Sequence, residues 1–222
     1  MAPLSSLGIA DWDRAARPCG LRVSAALHPA PDPALPAGTG TLLLLSPKTP
    51  RFWAIFTASA EYRDGAEDPM DRWSRRVINA LTRQQDGACA VFPFDGPPYA
   101  PFYDWARVAG GVQRSPVTLL ADAEDGLHLA FRGALALPAT LPLPAPRPAP
   151  CTGCIAPCAT ACPAGALTPA GYDVPACRAW LETEAGKICL HHGCQVREAC
   201  PPARARGRVL AQNIFHMRHF TK

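Results

Sequence analysis

Eight cysteines stand between positions 151 and 200, arranged as C151-T-G-C-I-A-P-C-A-T-A-C162-P and then Cys177, Cys189, Cys194 and Cys200-Pro201. Thiolates ligate soft metals, and a C-x2-C-x3-C run lets one loop wrap successive corners of an iron–sulfur cube. A fourth cysteine followed by proline typically leaves that loop and ligates a neighbouring cluster. Proline suits the position because it ends the loop and has no N–H in need of a partner. This crossing rule assigns Cys151, Cys154, Cys158 and Cys200 to one centre. Cys162, Cys177, Cys189 and Cys194 form the other. Two [4Fe-4S] clusters therefore use all eight thiols. Small residues among them, such as Gly153, Ala156, Ala159, Ala161 and Gly165, let backbone amides approach cluster sulfurs.

Other metal chemistry competes. The first run carries one residue more before Cys158 than the usual C-x2-C-x2-C-x3-C-P, and five residues separate Cys194 from Cys200. One cluster with four free thiols is a second reading. Zinc is a third, since tetrahedral sites also use C-x2-C pairs and His191 and His192 adjoin this run. Disulfides are the least favoured use. The opening MAPLSSLGIADWDRAARPCG has no basic n-region and meets Asp11 and Asp13 early, unlike a secretory signal. The apolar run Leu42–Leu45 is far short of a membrane span. A cytoplasmic protein without membrane contact is expected, where structural disulfides rarely persist.

Charge follows the cysteines. Residues 1–150 hold 14 Lys+Arg and 14 Asp+Glu, while residues 151–222 hold 8 and 4, so the surplus of +4 lies in the last third. An oxidised four-iron cluster with its four thiolates carries about −2, so two such centres would offset it. Local compensation accounts for Arg204, Arg206 and Arg208 at least as well as a nucleic-acid footprint does, and no nucleic acid is expected as partner.

The elements that must position these groups follow from patterning. With 222 residues, 48% hydrophobic and 18% charged, the chain suits one generous domain or two modest ones. The expected fold class is α+β: a sheet-and-helix domain over 1–137, a proline-rich linker over 138–150, and a small ferredoxin-like iron–sulfur module with a C-terminal helix over 151–222. Leu21–Ala26 and Thr41–Leu45 read as buried strands, with a turn-rich loop between. Asp68-Pro69 reads as an N-cap and first helical position, opening a helix to about Gln85 with Met70, Trp73, Val77, Ile78 and Leu81 on one apolar face. Cys89–Phe94 reads as a strand and Pro101–Val108 as a short helix. Val117–Leu120 and Leu127–Leu137 read as a hairpin around Asp125-Gly126, with His128 and Arg132 projecting from its second strand. Six prolines between Pro138 and Pro150 mark a semi-rigid spacer or surface strap. Arg206–Phe220 has helical character, with Val209, Ile214, Met217 and Phe220 available for packing and His216 and His219 on one face.

The cysteine module resembles the dicluster ferredoxin domain of epoxyqueuosine reductases and reductive dehalogenases. A weaker likeness precedes it, in V-F-P-F-D-G-P-P at 91–98, W-A-R-V-A-G-G at 105–111, S-P-V-T-L-L at 115–120 and F-R-G-A-L at 131–135. These segments are similar to the corrinoid-binding domain of the same enzymes and of cytosolic cobalamin-processing proteins. The resemblance implies single-electron supply to a cofactor, with a redox partner protein and a corrinoid or small-molecule substrate. It also implies that Asp95 is a proton donor, and that Phe92, Phe94 and Arg132 are cofactor-binding positions. A carboxyl beside Phe92, Phe94 and Tyr99 would have its neutral form favoured. A plain turn aspartate before glycine is the competing role. Departures are the G110-G-V-Q-R-S-P segment, the lack of a D-x-H-x-x-G histidine ligand for cobalamin, and the lack of a helical-repeat extension to hold RNA. A ferredoxin-like carrier and a zinc-stabilised interaction protein are the alternatives to a reductase.

Overall fold

A computed structural model describes residues 7–145 and 147–221. The strands are β1 (Leu21–Leu27), β2 (Thr41–Pro47), β3 (Cys89–Val91), β4 (Val112–Arg114), β5 (Leu120–Asp122), β6 (Gly133–Leu137), β7 (Leu167–Thr168) and β8 (Gly171–Tyr172). The α-helices are α1 (Ile9–Ala16), α2 (Arg51–Thr57), α3 (Ala60–Arg63), α4 (Pro69–Thr82), α5 (Phe102–Val108), α6 (Val174–Leu181), α7 (Lys187–His192), α8 (Gln195–Glu198), α9 (Pro201–Arg206) and α10 (Leu210–Phe220). The class is α+β. Two compact units divide the chain, Met1–Gly110 with Ala130–Pro146 and Gly111–Leu129 with Arg147–Lys222. Residues 111–129, placed before the linker by sequence, thus group with the cysteines.

The first unit is built on an antiparallel sheet of order β1-β2-β6-β3. Leu42 to Leu45 are all fully buried, which a sheet with one wet face would not permit. Both faces are therefore covered, and each such leucine contributes roughly 1.5–3 kcal/mol of burial. Helix α4 packs on β3 and β6 through the expected stripe of Met70, Trp73, Val77, Ile78 and Leu81. Trp73 meets the Phe52 ring edge-on at 5.3 Å, continuing the core into α2. Asp68 does occupy the N-cap position, but its backbone is left-handed at φ 47° and its side chain makes no cap hydrogen bond.

The expected hairpin is not formed. Strand β5 pairs back with β4, and β6 pairs with β2 and β3. A central place between two strands buries all five residues of β6, a larger gain than a local hairpin offers. His128 and Arg132 lie outside any strand in consequence. The proline tract starts as the surface strap that its composition allows. Thr41 Oγ1 donates to the Ala139 carbonyl at 2.8 Å and accepts from the Leu141 N–H at 2.9 Å.

In the second unit, the β4–β5 hairpin and the β7–β8 ribbon accompany five short helices. Val117, Ala121 and Leu127 share one core with Cys158, Val196, Cys200 and Ala203. The helix expected over Arg206–Phe220 is interrupted at Gly207, whose φ of +68° ends α9. In α10 the buried positions are Gln212 and Asn213, not the expected apolar set. Asn213 Nδ2 donates to Glu198 Oε1 at 2.8 Å, and the buried His128 ring contacts the same oxygen at 2.9 Å. That polar network explains why this helix buries amides.

Candidate metal centre

Four thiols converge from the loop after Cys151 and from the start of α9. Cys151, Cys154, Cys158 and Cys200 line one pocket of about 340 Å³, part of it open to solvent. Cys158 lies in a 3-10 turn, Pro157–Thr160, and Cys200 is the N-cap residue of α9, with Pro201 supplying the first helical position. Proline there loses no helical hydrogen bond, because that N–H would be unpaired anyway. The loop is pinned at its entry by the Cys151 N–H, which donates to Gln113 Oε1 of β4 at 3.2 Å. Gly126, at φ +52°, approaches from the turn after β5. A Cβ on it would lie 2.7 Å from Cys200 Sγ and 2.7 Å from the Ala203 nitrogen. Only glycine fits that place.

The remaining thiols group separately. Cys177 lies in α6 and Cys189 in α7, Cys194 is the N-cap residue of α8, and Cys162 closes the first run. Electrostatic coupling follows the grouping: Cys151 feels Cys200, Cys158 and Cys154, whereas Cys189 feels Cys194, Cys177 and Cys162. His191 and His192 beside Cys189 are exposed. Cys19 and Cys89 belong to the first unit.

Both quartets suit a thiolate-bound group. Burial pushes the Cys151 and Cys158 thiols up, with Cys200 the next contributor, and burial likewise raises Cys177 and Cys189. Buried, crowded thiols give up protons readily only when a metal replaces them. Hydrogen-bond donors are also in place. The Ala156 N–H reaches Cys154 Sγ at 3.4 Å, and hydrogen bonding from the Gln195 backbone and from the Tyr172 side chain counteracts part of the upward push of burial on the Cys189 and Cys177 thiols. Such bonds disperse thiolate charge. Among the described residues, no three His, Cys, Asp or Glu side chains converge as a single metal ion would require.

In the first unit, Asp95, Phe92, Phe94 and Arg132 come together around Arg75. The Phe92 and Phe94 rings stack at 5.2 Å, and the Arg75 guanidinium sits 4.8 Å from the Phe92 centroid. Both Arg75 amino groups donate to the half-exposed Asp95 carboxyl, which holds the guanidinium more firmly protonated. Arg132 is partly buried; it donates to Asp71 and to Ser74 Oγ, with its guanidinium 5.7 Å from the Phe94 ring. These groups satisfy one another. They show a corrinoid no orphaned polar atom.

Sequence reasoning missed the contributors from 111–129: Gln113, Ser115 and Gly126. It also missed Tyr172. The S-P-V-T-L-L segment and the Asp125-Gly126 pair were the available signals, but neither says which unit it joins.

No protein-family model matches the chain. No curated protein matches it either. Among solved structures it is similar to selenomethionine-labelled epoxyqueuosine reductase, at 16% identity and a TM-score of 0.43, over 63% of this chain and 40% of that one. The chain thus spans about two fifths of that protein's length. No helix among the described residues is long and apolar enough to cross a membrane.

Proposed function

We propose that the cysteine unit holds two [4Fe-4S] clusters and that the protein moves single electrons between a redox partner protein and a reducible substrate. The pocket lined by Cys151, Cys154, Cys158 and Cys200, with the other four cysteines of the run in the same unit, is the observation that carries this reading. Clusters bound there supply one-electron transfer. The chain's own part is to bind through deprotonated sulfur, to donate N–H and O–H groups to those sulfurs, and to keep bulk water away with small and proline side chains.

A reductase is the sharper form, with Asp95 delivering a proton from its carboxyl. Such delivery requires the Arg75–Asp95 pair to open, so substrate binding must displace Arg75. The alternative is an electron carrier whose first unit docks a partner.

Anaerobic purification tests the reading. The full chain should be brown and carry about eight iron and eight acid-labile sulfide. Cys154→Ser should remove about half of both, because one quartet loses a ligand. Colourless protein with stoichiometric zinc overturns the proposal. A change in the visible spectrum of added cobalamin supports the reductase form; an unchanged spectrum assigns the first unit to docking.

A further inference from the structure

Ser115 has no part in ligation, yet it lines the pocket formed by Cys151, Cys154, Cys158 and Cys200. It is 5% exposed, and its buried Oγ has no hydrogen-bond partner. Its position is not loose. The Ser115 N–H donates to the Leu119 carbonyl at 2.8 Å and its carbonyl accepts from the Thr118 N–H at 3.0 Å, so both backbone groups are committed to the turn joining β4 and β5. A buried hydroxyl left unpaired costs roughly 1–3 kcal/mol, so its persistence at such a place calls for an acceptor.

The rest of the lining sharpens the point. Pro116, Pro150, Pro201 and Pro202 bring no N–H to the pocket. The Cys151 N–H is used by Gln113, and the Ala156 N–H already serves Cys154. Among the described residues, Ser115 is, apart from the thiols, the only one lining the pocket with a polar side chain.

We propose that the Ser115 hydroxyl donates a hydrogen bond to a sulfur of the centre held by Cys151, Cys154, Cys158 and Cys200, and thereby raises its reduction potential. The inference rests on the cluster reading given above. Ser115 is a positioning and tuning residue. It keeps its proton and forms no covalent bond. A cluster held there would carry about −2 when oxidised and about −3 when reduced by the redox partner, and the Ser115 O–H dipole would favour the more negative state.

The test is an EPR-monitored redox titration of the full-length, anaerobically prepared chain, with Ser115→Ala and Ser115→Thr beside the wild type. In Ser115→Ala, iron and sulfide should be unchanged, while one of the two reduction steps becomes about tenfold less favourable, ~59 mV for a one-electron couple. Ser115→Thr keeps the hydroxyl and should restore the wild-type value. Two steps within about twofold of wild type in Ser115→Ala would overturn the inference. An equal shift of both, loss of half the iron, or failure of threonine to rescue would do the same. Absence of iron and sulfide from the wild-type chain is a different result, one that overturns the cluster reading itself.

Discussion

Gly126 admits the Cys200 sulfur because it has no side chain. Replacing it with alanine puts a Cβ within 2.7 Å of that sulfur and of the Ala203 nitrogen, at a φ that L-residues rarely adopt. Gly126→Ala should therefore cost about half the bound iron while Cys162, Cys177, Cys189 and Cys194 keep theirs, measured as iron per chain. Glu61 offers a prediction of another kind. Its carboxyl bonds to the Arg76 guanidinium, which holds it down to about 2. A carboxylate depressed on folding stabilises above its unfolded value near 4.3 and loses that contribution as pH falls toward its folded value. Arg76 is more than half exposed, so the pair contributes about 1 kcal/mol at neutral pH. Glu61→Gln should lower the denaturant midpoint at pH 7, with the difference from wild type vanishing by about pH 2.

Among the elements, α4 was readable because its apolar stripe and its packing face are the same residues. The β4–β5 hairpin was not. Its apolar residues, Val117 and Ala121, carry no mark of whether they pack on the sheet or beneath the cysteines. Strand β6 shows the same limit: G-A-L-A-L is a good strand anywhere, and the choice of β2 and β3 over a local partner comes from burial on both faces. If 111–129 is structural support for the cysteines, Leu127→Ala should destabilise the second unit by about 2–5 kcal/mol. The loss should appear as a lower denaturation midpoint when unfolding is followed by cluster absorbance.

For the whole molecule, the last 76 residues are not the complete cysteine unit, since Gly111–Leu129 belongs to it. A fragment covering 147–222 keeps all eight proposed ligands but lacks Val117, Ala121, Leu127 and Gln113. It should fail to retain the centre of Cys151, Cys154, Cys158 and Cys200, read as iron per chain against the full-length protein. A fragment with a full iron complement would show that the cysteine loops fold without the hairpin. The +4 of residues 151–222 bears on the same comparison. Two clusters at about −2 each would offset it, so on the proposal above the loaded chain should migrate as the more acidic species in native electrophoresis.

By itself, the sequence determined the inventory and the local grammar: which thiols exist, how closely they follow one another, where prolines end their loops, and which helix has an apolar face. Those properties act over a few residues, so spacing alone expresses them. Tertiary structure decided the company they keep. Segment 111–129 lies beside Cys151 and Cys200 because buried Val117, Ala121 and Leu127 need a core. That packing places Gly126 against one sulfur and Ser115 in the pocket. Burial is a sum over residues distant in the chain, and no local spacing encodes it.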